Sequence, residues 1–280
     1  MSFTRPFPFK EALDANDVKA LLPTSMSSAE AAAIARALEG QGAALLARAR
    51  FSARVRSVQH LDVLDSGVRD ITAGATDIAT QRLRLKQFVR STGFMAPPEE
   101  RGGLRDFAST ARTNVQLRTN VQLAQGYGWH QQGQDPDLLF AYPAREFVRV
   151  EAREQPRQDW PQRWNAARAA TTTEGATDSS TGIMAALVGH PIWRELSVFG
   201  REHEPFDYGS GMGTEDMGRK RAIALGLLAP DTVIFPSADS FNADLQVSPE
   251  IRSARLREKL EASGLGRYEG EVFVYTGGGA

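Results

Sequence analysis

At 280 residues, the chain is long enough for one large domain or two ordinary ones, each burying a core without covalent cross-links. Hydrophobic residues make up 41% and charged residues 24% of the sequence, the proportions of an ordinary globular protein. The formal net charge of −1 gives no overall attraction to nucleic acid, and the absence of cysteine excludes disulfides, thiolate nucleophiles and cysteine metal ligands.

The sequence also lacks the apolar runs that direct a chain into or through a membrane. No stretch reaches the ~20 apolar residues of a membrane span, and Met1–Lys10 has no apolar run of signal-peptide length. A chain without cysteine fits assembly in a reducing cytoplasm. We therefore expect a soluble, non-secreted protein.

Helical patterns dominate residues 1–135, where good helix formers and apolar residues recur at intervals of three and four. The clearest case is Phe51–Ala73, whose apolar stripe is held for six turns. Gly74 ends it, and Gly93 with Pro97–Glu100 forces a later loop. The other predicted helices are Phe9–Leu22, Ala29–Arg50 as one helix or two, a helix capped by Thr76 and reaching Val89, and Leu104–Gly133.

A six-residue repeat lies within the last of these helices, because Arg112–Leu117 and Arg118–Leu123 have the same sequence. Six residues advance a helix by about 600°, so equivalent positions lie about 120° apart and cannot share a face. The apolar stripe therefore combines the two copies, and it consists of Leu117, Val121, Ala124 and Gly128.

After residue 135 the pattern becomes mixed. The expected elements are a strand around Phe147–Val150, an exposed loop Thr171–Thr181, a helix Glu215–Leu225, a strand Thr232–Phe235, a helix Ile251–Leu260, a strand Glu271–Tyr275 and a flexible tail Gly277–Gly279. The sequence thus predicts an α+β fold that is predominantly α. Its helical N-terminal region spans 1–135, and its smaller mixed α+β region spans 136–280.

Aromatic residues predict the core of the second region. Trp160 and Trp164 are four residues apart on a short helix, which places both rings on one face. The same arrangement is predicted for Trp193, Leu196 and Phe199, and Phe206 and Tyr208 then precede a turn at Gly209–Gly213.

Residues with catalytic or metal-binding chemistry are scattered. His60, His130, His190 and His203 are far apart in sequence and form no metal-binding spacing. We expect His60 at the edge of a core, His190 at the end of a helix and His203 in a solvated charge cluster with its neighbouring glutamates. No phosphate-binding or nucleophile-elbow motif occurs, so no catalytic, cofactor-binding or metal residue is assigned and no enzyme is expected.

Two alternatives remain open at this point. Glu269 and Glu271, together with Arg149 and Thr171–Thr173, could form the site of an ADP-ribosyltransferase-like toxin, although two surface glutamates beside a glycine turn is the simpler interpretation. The basic clusters Arg48–Arg56 and Arg219–Arg221 could contact DNA, as in a packaging accessory protein, but clusters this short are usually solvated helix faces.

Several segments in order resemble the phage Mu F-like minor head (head morphogenesis) proteins. They are Phe9–Ala12, Lys19–Thr24, Phe51–Val55, Thr119–Gly128, Tyr142–Glu146, Asp159–Trp164, His190–Trp193, Phe199–Gly200 and Pro205–Gly213. The resemblance covers nearly the whole chain. The Asp-x-Arg-Thr segment with a following histidine and the cysteine-rich end of many relatives are missing, so a metal site of such relatives is not expected here.

The resemblance implies a minor capsid protein of a tailed bacteriophage, present in few copies in the phage head and assembled in the bacterial host cytoplasm. Its expected partners are the portal protein and the major capsid or scaffolding protein, with packaged DNA as a further candidate. Residues 1–135 would bind the portal or capsid, and 136–280 would form the head morphogenesis region.

Overall fold

The computed structural model describes residues 10–17, 20–21, 49–50, 52–237, 246–247, 266–270 and 272–275. The chain divides into two compact units. The first unit contains the described residues up to Gln125 and those beyond Ser240, and the second, here the central unit, extends from Gly126 to Asp239. The predicted division into regions at residue 135 stays a prediction.

The first unit combines helices with two small sheets. Its helices are α1 (Lys10–Asp17), α2 (Val58–Thr72), α3 (Ile78–Ser91) and the larger part of α4 (Thr110–Gln132), with a 3₁₀ turn at Pro98–Glu100. Strands β1 (Ala20–Leu21) and β2 (Ala49–Arg50) pair in parallel, and β6 (Gln246–Val247), β7 (Gly266–Glu269) and β8 (Val272–Tyr275) form an antiparallel sheet in the order β6-β8-β7. The strand predicted at the C-terminal end is confirmed for 272–275.

Three N-terminal predictions need correction or lie outside the described residues. The first helix ends at Asp17 instead of reaching Leu22, because residues 20–21 pair with 49–50 as strands. Residues 49–50, which end the predicted helix 29–50, are therefore extended. The rest of that predicted helix lies outside the described residues. The predicted helix 251–260 and the tail 277–279 also lie outside them.

Side-chain caps make the long helices start later than their apolar patterns predict. Helix α2 begins at Val58 instead of Phe51, because the Ser57 hydroxyl accepts a hydrogen bond from the His60 N–H and Arg54 adopts a positive φ of 64°. Helix α3 is capped by the Asp77 side chain and not by Thr76. Gly74 follows α2 as predicted.

Helix α4 starts at Thr110 instead of Leu104. The Asp106 carboxylate accepts hydrogen bonds from the N–H groups of Gly102 and Ala108, which holds this segment in turns. The Ser109 hydroxyl then accepts the N–H of Arg112 and caps the helix.

An apolar cluster joins α2, α3 and α4 in the first unit. It contains the buried side chains of Leu64, Val68, Leu85, Leu117 and Val121. Within the sequence repeat, Leu117 is buried whereas Leu123 is only partly buried. The predicted stripe of α4 is confirmed, since Ala124 and Gly128 are buried as well.

The central unit is built around a three-stranded antiparallel sheet in the order β4-β3-β5. Its elements are the end of α4, α5 (Pro136–Ala141), β3 (Ala144–Arg149), α6 (Trp160–Ala170), β4 (Ala185–Leu187), α7 (Ile192–Leu196), β5 (Met212–Met217) and α8 (Arg219–Ala224). Strand β3 pairs with β5 along its whole length, from Ala144 opposite Met217 to Arg149 opposite Met212.

The two faces of β3 bury different side chains. Ala144 packs on one face in a small cluster with Ala185, Met217 and Ala222. Phe147 lies on the other face, where its ring centroid is 5.2 Å from those of Trp160 and Phe206 and 6.1 Å from that of Trp164.

The predicted aromatic core is thereby confirmed. Trp160 and Trp164 are both buried, and Trp164 donates to the Thr177 carbonyl at 2.8 Å. Trp193 is 1% exposed and donates to the Leu187 carbonyl at 2.9 Å. Phe199 departs from the pattern, because it follows α7 and packs on Tyr208 at 4.8 Å.

Further predictions for this unit are wrong. The helix predicted for Glu215–Leu225 is strand β5 up to Met217, because pairing with β3 satisfies its backbone, and only Arg219–Ala224 is helical. The segment Thr232–Phe235 forms no strand, and the Thr232 carbonyl instead accepts from Arg219.

The loop predicted to be exposed at Thr171–Thr181 is also partly buried. Ala176 and Thr177 lie in the interior, and Ala176 forms an isolated bridge with Ala186. The described residues as a whole form an α+β fold that is predominantly α, as predicted. No helix among them is both long and apolar enough to cross a membrane.

Replacing Trp193 by alanine should destabilise the central unit strongly. The ring contacts Trp164 and Phe206 at centroid distances of 5.5 and 5.9 Å, so its loss leaves a cavity and should lower the free energy of unfolding by roughly 3–5 kcal/mol. Denaturant unfolding measured by tryptophan fluorescence tests this. Trp129→Ala is the matched control, since that ring is 55% exposed, and an unchanged midpoint for Trp193→Ala would contradict the core assignment.

Candidate functional site

The glutamate pair considered for transferase chemistry lies at a hairpin. Glu269 ends β7, and Gly270 makes the turn with a φ of 69°. The Glu269 carboxylate is paired with Arg267 at 2.7 Å, and both side chains are mostly exposed. Glu269 is therefore a surface ion pair beside a glycine turn, whereas Glu271 lies outside the described residues.

The other residues proposed for that site have structural contacts in the central unit. Arg149 donates to the carbonyl groups of Ser210, at 3.0 Å, and Arg157, at 3.4 Å. Thr171 is bonded to the Ala167 carbonyl at the end of α6. Thr172 and Thr173 are exposed.

The second basic cluster is largely engaged by protein groups. Arg219 donates to three carbonyl groups and lies 4.4 Å from the Phe140 ring centroid. Arg221 is paired with Glu146 at 2.8 Å. In the first cluster, Arg54 and Arg56 are exposed.

His60 lies in the interior of the first unit. Its Nε2 atom accepts from the Gln116 amide at 3.3 Å, and its ring meets those of Phe88 and Phe107 edge-on. Burial, assisted by the nearby Arg112 charge, lowers the pKa of His60 to about 4. The predicted core position is confirmed, and this histidine is neutral at physiological pH.

His190 begins a helix instead of ending one. Its Nδ1 atom accepts the N–H of Ile192, the first residue of α7, at 3.0 Å. Nε2 therefore carries the proton and donates to the Glu174 carbonyl at 2.9 Å. Burial lowers the pKa of this ring.

The central unit contains a cavity of about 290 Å³ that the sequence analysis did not identify. Its walls come from the C-terminal end of α4, from α5, from the paired strands β3 and β5, and from the loop before Pro205. It is lined by Gly126, Trp129, His130, Gln132, Gly133, Leu138, Arg145, His203, Glu204, Thr214 and Asp216. We call it the His-Arg cavity.

Two of the scattered histidines meet in this cavity. The ring centroids of His130 and His203 are 5.8 Å apart, and both residues are buried. The prediction of His203 as a solvated charge is therefore wrong. Its Nδ1 atom donates to the Glu204 carbonyl at 2.9 Å, and burial lowers its pKa well below the usual range. The ring is neutral, so its Nε2 atom is an acceptor.

Arg145 is the buried charge of the cavity. Its position in β3 places it on the same face as Phe147, and it is 8% exposed. The closest carboxylate is that of its cross-strand neighbour Asp216, whose Oδ1 atom is 3.6 Å from the Arg145 Nε. Burial lowers the pKa of Arg145, and the surrounding carboxylates oppose this shift.

Glu204 is the buried carboxyl of the cavity. It accepts hydrogen bonds from the backbone N–H and the hydroxyl of Thr214. Burial raises its pKa, with a smaller contribution from the negative charge of Glu151, while the Thr214 hydrogen bonds and Arg145 act in the opposite direction.

Close packing around the cavity requires glycine at position 126, and a side chain at position 133 would force the end of the Arg145 side chain to shift. A Cβ at Gly126 would lie 2.1 Å from the Glu204 carbonyl oxygen, and one at Gly133 would lie 2.7 Å from the Arg145 Nη2. Gly126, His130 and Gly133 have the i, i+4, i+7 spacing of one helix face. That spacing, and the shared face of Arg145 and Phe147, were the signals in the sequence that could have revealed the cavity.

A metal site is not formed by these groups. Among the described residues, no three histidine, aspartate or glutamate side chains converge as metal ligands. The cavity instead offers hydrogen-bond donors from a guanidinium group beside acceptors from an imidazole and two carboxyl groups.

Comparison with known proteins gave no match to any protein family, curated protein or solved structure. A functional assignment therefore depends on the residues of this chain and the contacts they make.

Acidification should weaken the first unit through His60. Its pKa is about 4 when folded and 6.5 when unfolded, so between these values the unfolded chain binds more protons. Stability is therefore retained above about pH 6.5 and falls as the pH drops toward 4, by roughly 3 kcal/mol from this ring. Denaturant titrations followed by circular dichroism at about pH 7 and pH 4.5 measure the free energy of unfolding at each pH. Between the two, His60→Gln should lose less of this free energy than the wild type. An equal loss in both proteins would contradict the prediction.

Gly126→Ala should destabilise the central unit although alanine favours helices. Alanine gains about 1 kcal/mol of helix propensity, but its methyl group would overlap the Glu204 backbone, which should leave a net loss of roughly 1–3 kcal/mol. Gly67→Ala in α2 is the control, since its nearest neighbour is a flexible glutamine side chain at 3.2 Å. Thermal unfolding measures both. Similar melting temperatures for the two variants would disprove the close approach.

Proposed function

We propose that the protein is a minor head protein of a tailed bacteriophage, a structural component present in few copies that acts in head morphogenesis with the portal. The observation that supports this most is that separate segments resembling the Mu F-like proteins pack into one core. These segments, 142–146, 159–164, 190–193 and 205–213, supply β3, α6, α7 and the start of β5.

The resemblance thus concerns residues that depend on one another physically. Trp164 from one segment contacts Trp193 from the next at 5.5 Å, and Phe206 contacts Trp193 at 5.9 Å. The ion pair between Arg163 and Asp207, at 2.9 Å, joins two of the segments at the edge of the same core.

We propose that the first unit provides the contact with the portal. Leu83, Met95 and Leu104 are large apolar side chains that remain more than half exposed in this unit. Apolar side chains on helices and adjoining loops are suited to bind grooves in a partner protein. The major capsid or scaffolding protein is the second proposed partner, and the site of action is the phage head.

Contact with packaged DNA is a weaker proposal. Arg219 and Arg221 are already held by carbonyl groups and by Glu146, so they have little freedom to pair with phosphates. Phosphate contacts normally come from exposed lysine and arginine side chains.

Co-expression with the portal protein of the same phage tests the proposal. The full chain should be captured by tagged portal, and a triple substitution of Leu83, Met95 and Leu104 to serine should weaken capture by about tenfold or more, because these exposed residues would supply apolar contact area. Pull-down with quantitative mass spectrometry measures the effect.

A matched control comes from the central unit, where Val233 and Phe235 are also exposed. Their double substitution to serine should leave capture unchanged. If only this control variant lost capture, the contact would belong to the central unit. If the full chain were absent from purified phage particles and never captured by the portal, the proposed function would be wrong.

A further inference from the structure

The state of Arg145 is the unexplained feature of the central unit. Its side chain is about nine-tenths buried, yet the ion pair that it makes is long: its Nε atom lies 3.6 Å from the Oδ1 atom of Asp216, a side chain that is mostly exposed. Burying a charge is costly unless it is paired and hydrogen-bonded. A guanidinium has five N–H donors in a planar fork that matches the two oxygens of a carboxylate.

The donors of Arg145 face the cavity. Its Nε atom lies toward Asp216 and its Nη2 atom toward Gly133, and both of these residues line the cavity. The absence of a side chain at Gly133 leaves the space that the guanidinium fork needs. An acceptor entering the cavity would therefore meet a charge that is already in position.

The cavity also has apolar walls. Trp129 and Leu138 line it, and they remain 55% and 45% exposed. Trp129 is the exposed member of the four tryptophans, since Trp160, Trp164 and Trp193 are buried in the core. A ligand with an apolar body would cover both side chains while its polar group reaches Arg145.

The two carboxyl groups of the cavity, those of Asp216 and Glu204, do not prevent a ligand carboxylate from binding there. The Asp216 side chain is 66% exposed, so it can turn into solvent when Arg145 gains a better partner. Glu204 is buried with a raised pKa, and it can hold a proton when a second carboxylate approaches.

From this geometry we propose that the His-Arg cavity binds the carboxylate of an apolar organic acid, with the carboxylate on the guanidinium of Arg145 and the apolar body on Trp129 and Leu138. A volume of about 290 Å³ suits a group the size of one amino-acid residue. The acid can be a free small molecule or the C-terminal residue of a peptide. The proposal is independent of the portal contact, which was assigned to the other unit.

Phenylacetate and its neutral isostere phenylacetamide test the charge requirement on the full-length protein. The ligand should shift the indole N–H resonance of Trp129, identified through Trp129→Phe, and calorimetry gives the affinity. We expect phenylacetate to bind about tenfold or more tightly than the amide, because a charged two-point hydrogen bond is lost. An N-acetyl peptide ending in phenylalanine, compared with its C-terminal amide, distinguishes a chain terminus from a free acid as the better ligand.

Variants assign the effect to the cavity. Arg145→Met should lower the affinity for phenylacetate by about tenfold or more, because the charged donor is lost. Its melting temperature should stay within about 4 °C of the wild type, because methionine fills the space without a buried charge. Arg221→Met is the control, as Arg221 pairs with Glu146 on the opposite side of β3 and should bind phenylacetate like the wild type.

A second pair of variants keeps the test decisive if Arg145→Met does not fold. Leu138→Glu would place a negative charge at the exposed wall of the cavity, and this charge should lower the affinity for phenylacetate several-fold. Leu138→Gln adds no charge and should change that affinity little. Equal binding of acid and amide, absence of binding, full affinity in folded Arg145→Met, or equal affinity in the two Leu138 variants would each overturn the proposal.

Discussion

The central unit depends on the packing of aromatic rings against one face of β3. Phe147 contacts Trp160 and Trp164 of α6 and Phe206 of a later loop, and no local interaction brings these three segments together. Burial of several rings of this size contributes more than any polar contact in the unit. The same strand buries Ala144 on its other face, so α6, α7 and α8 are all positioned by the alternation of side chains along six residues.

That alternation also places a charged side chain in the interior of the unit. Because Arg145 precedes Phe147 by two residues, the strand that buries the aromatic ring must bury a guanidinium as well. Its surroundings only partly compensate: His203 is neutral, Glu204 is engaged by Thr214, and Asp216 lies mostly in solvent. A core that retains such a charge sacrifices stability, and proteins do this most often where a site is needed.

Both units have features on which the proposed binding role rests. In the first, α2, α3 and α4 bury one apolar stripe each, and large apolar side chains such as Leu83 remain exposed on the surface. In the central unit, the aromatic core supports a cavity with one charged donor and the neutral His203. The ion pair of Glu269 with Arg267, in contrast, has the solvated character of an ordinary surface contact.

The sequence by itself determined the fold class and the apolar faces, including the stripe of Leu117 and Val121 and the pair Trp160 and Trp164. Such features follow from helix and strand periodicity, which needs only neighbouring residues. The caps at Ser57 and Ser109 are local as well, because each hydroxyl accepts the N–H three residues later, although the apolar pattern by itself did not show where the helices begin. The tertiary structure alone decided that residues 20–21 are extended, since they pair with residues 49–50. It also decided that residues 212–217 are a strand and that His130 meets His203, since both depend on partners distant in the chain, whose approach no local pattern encodes.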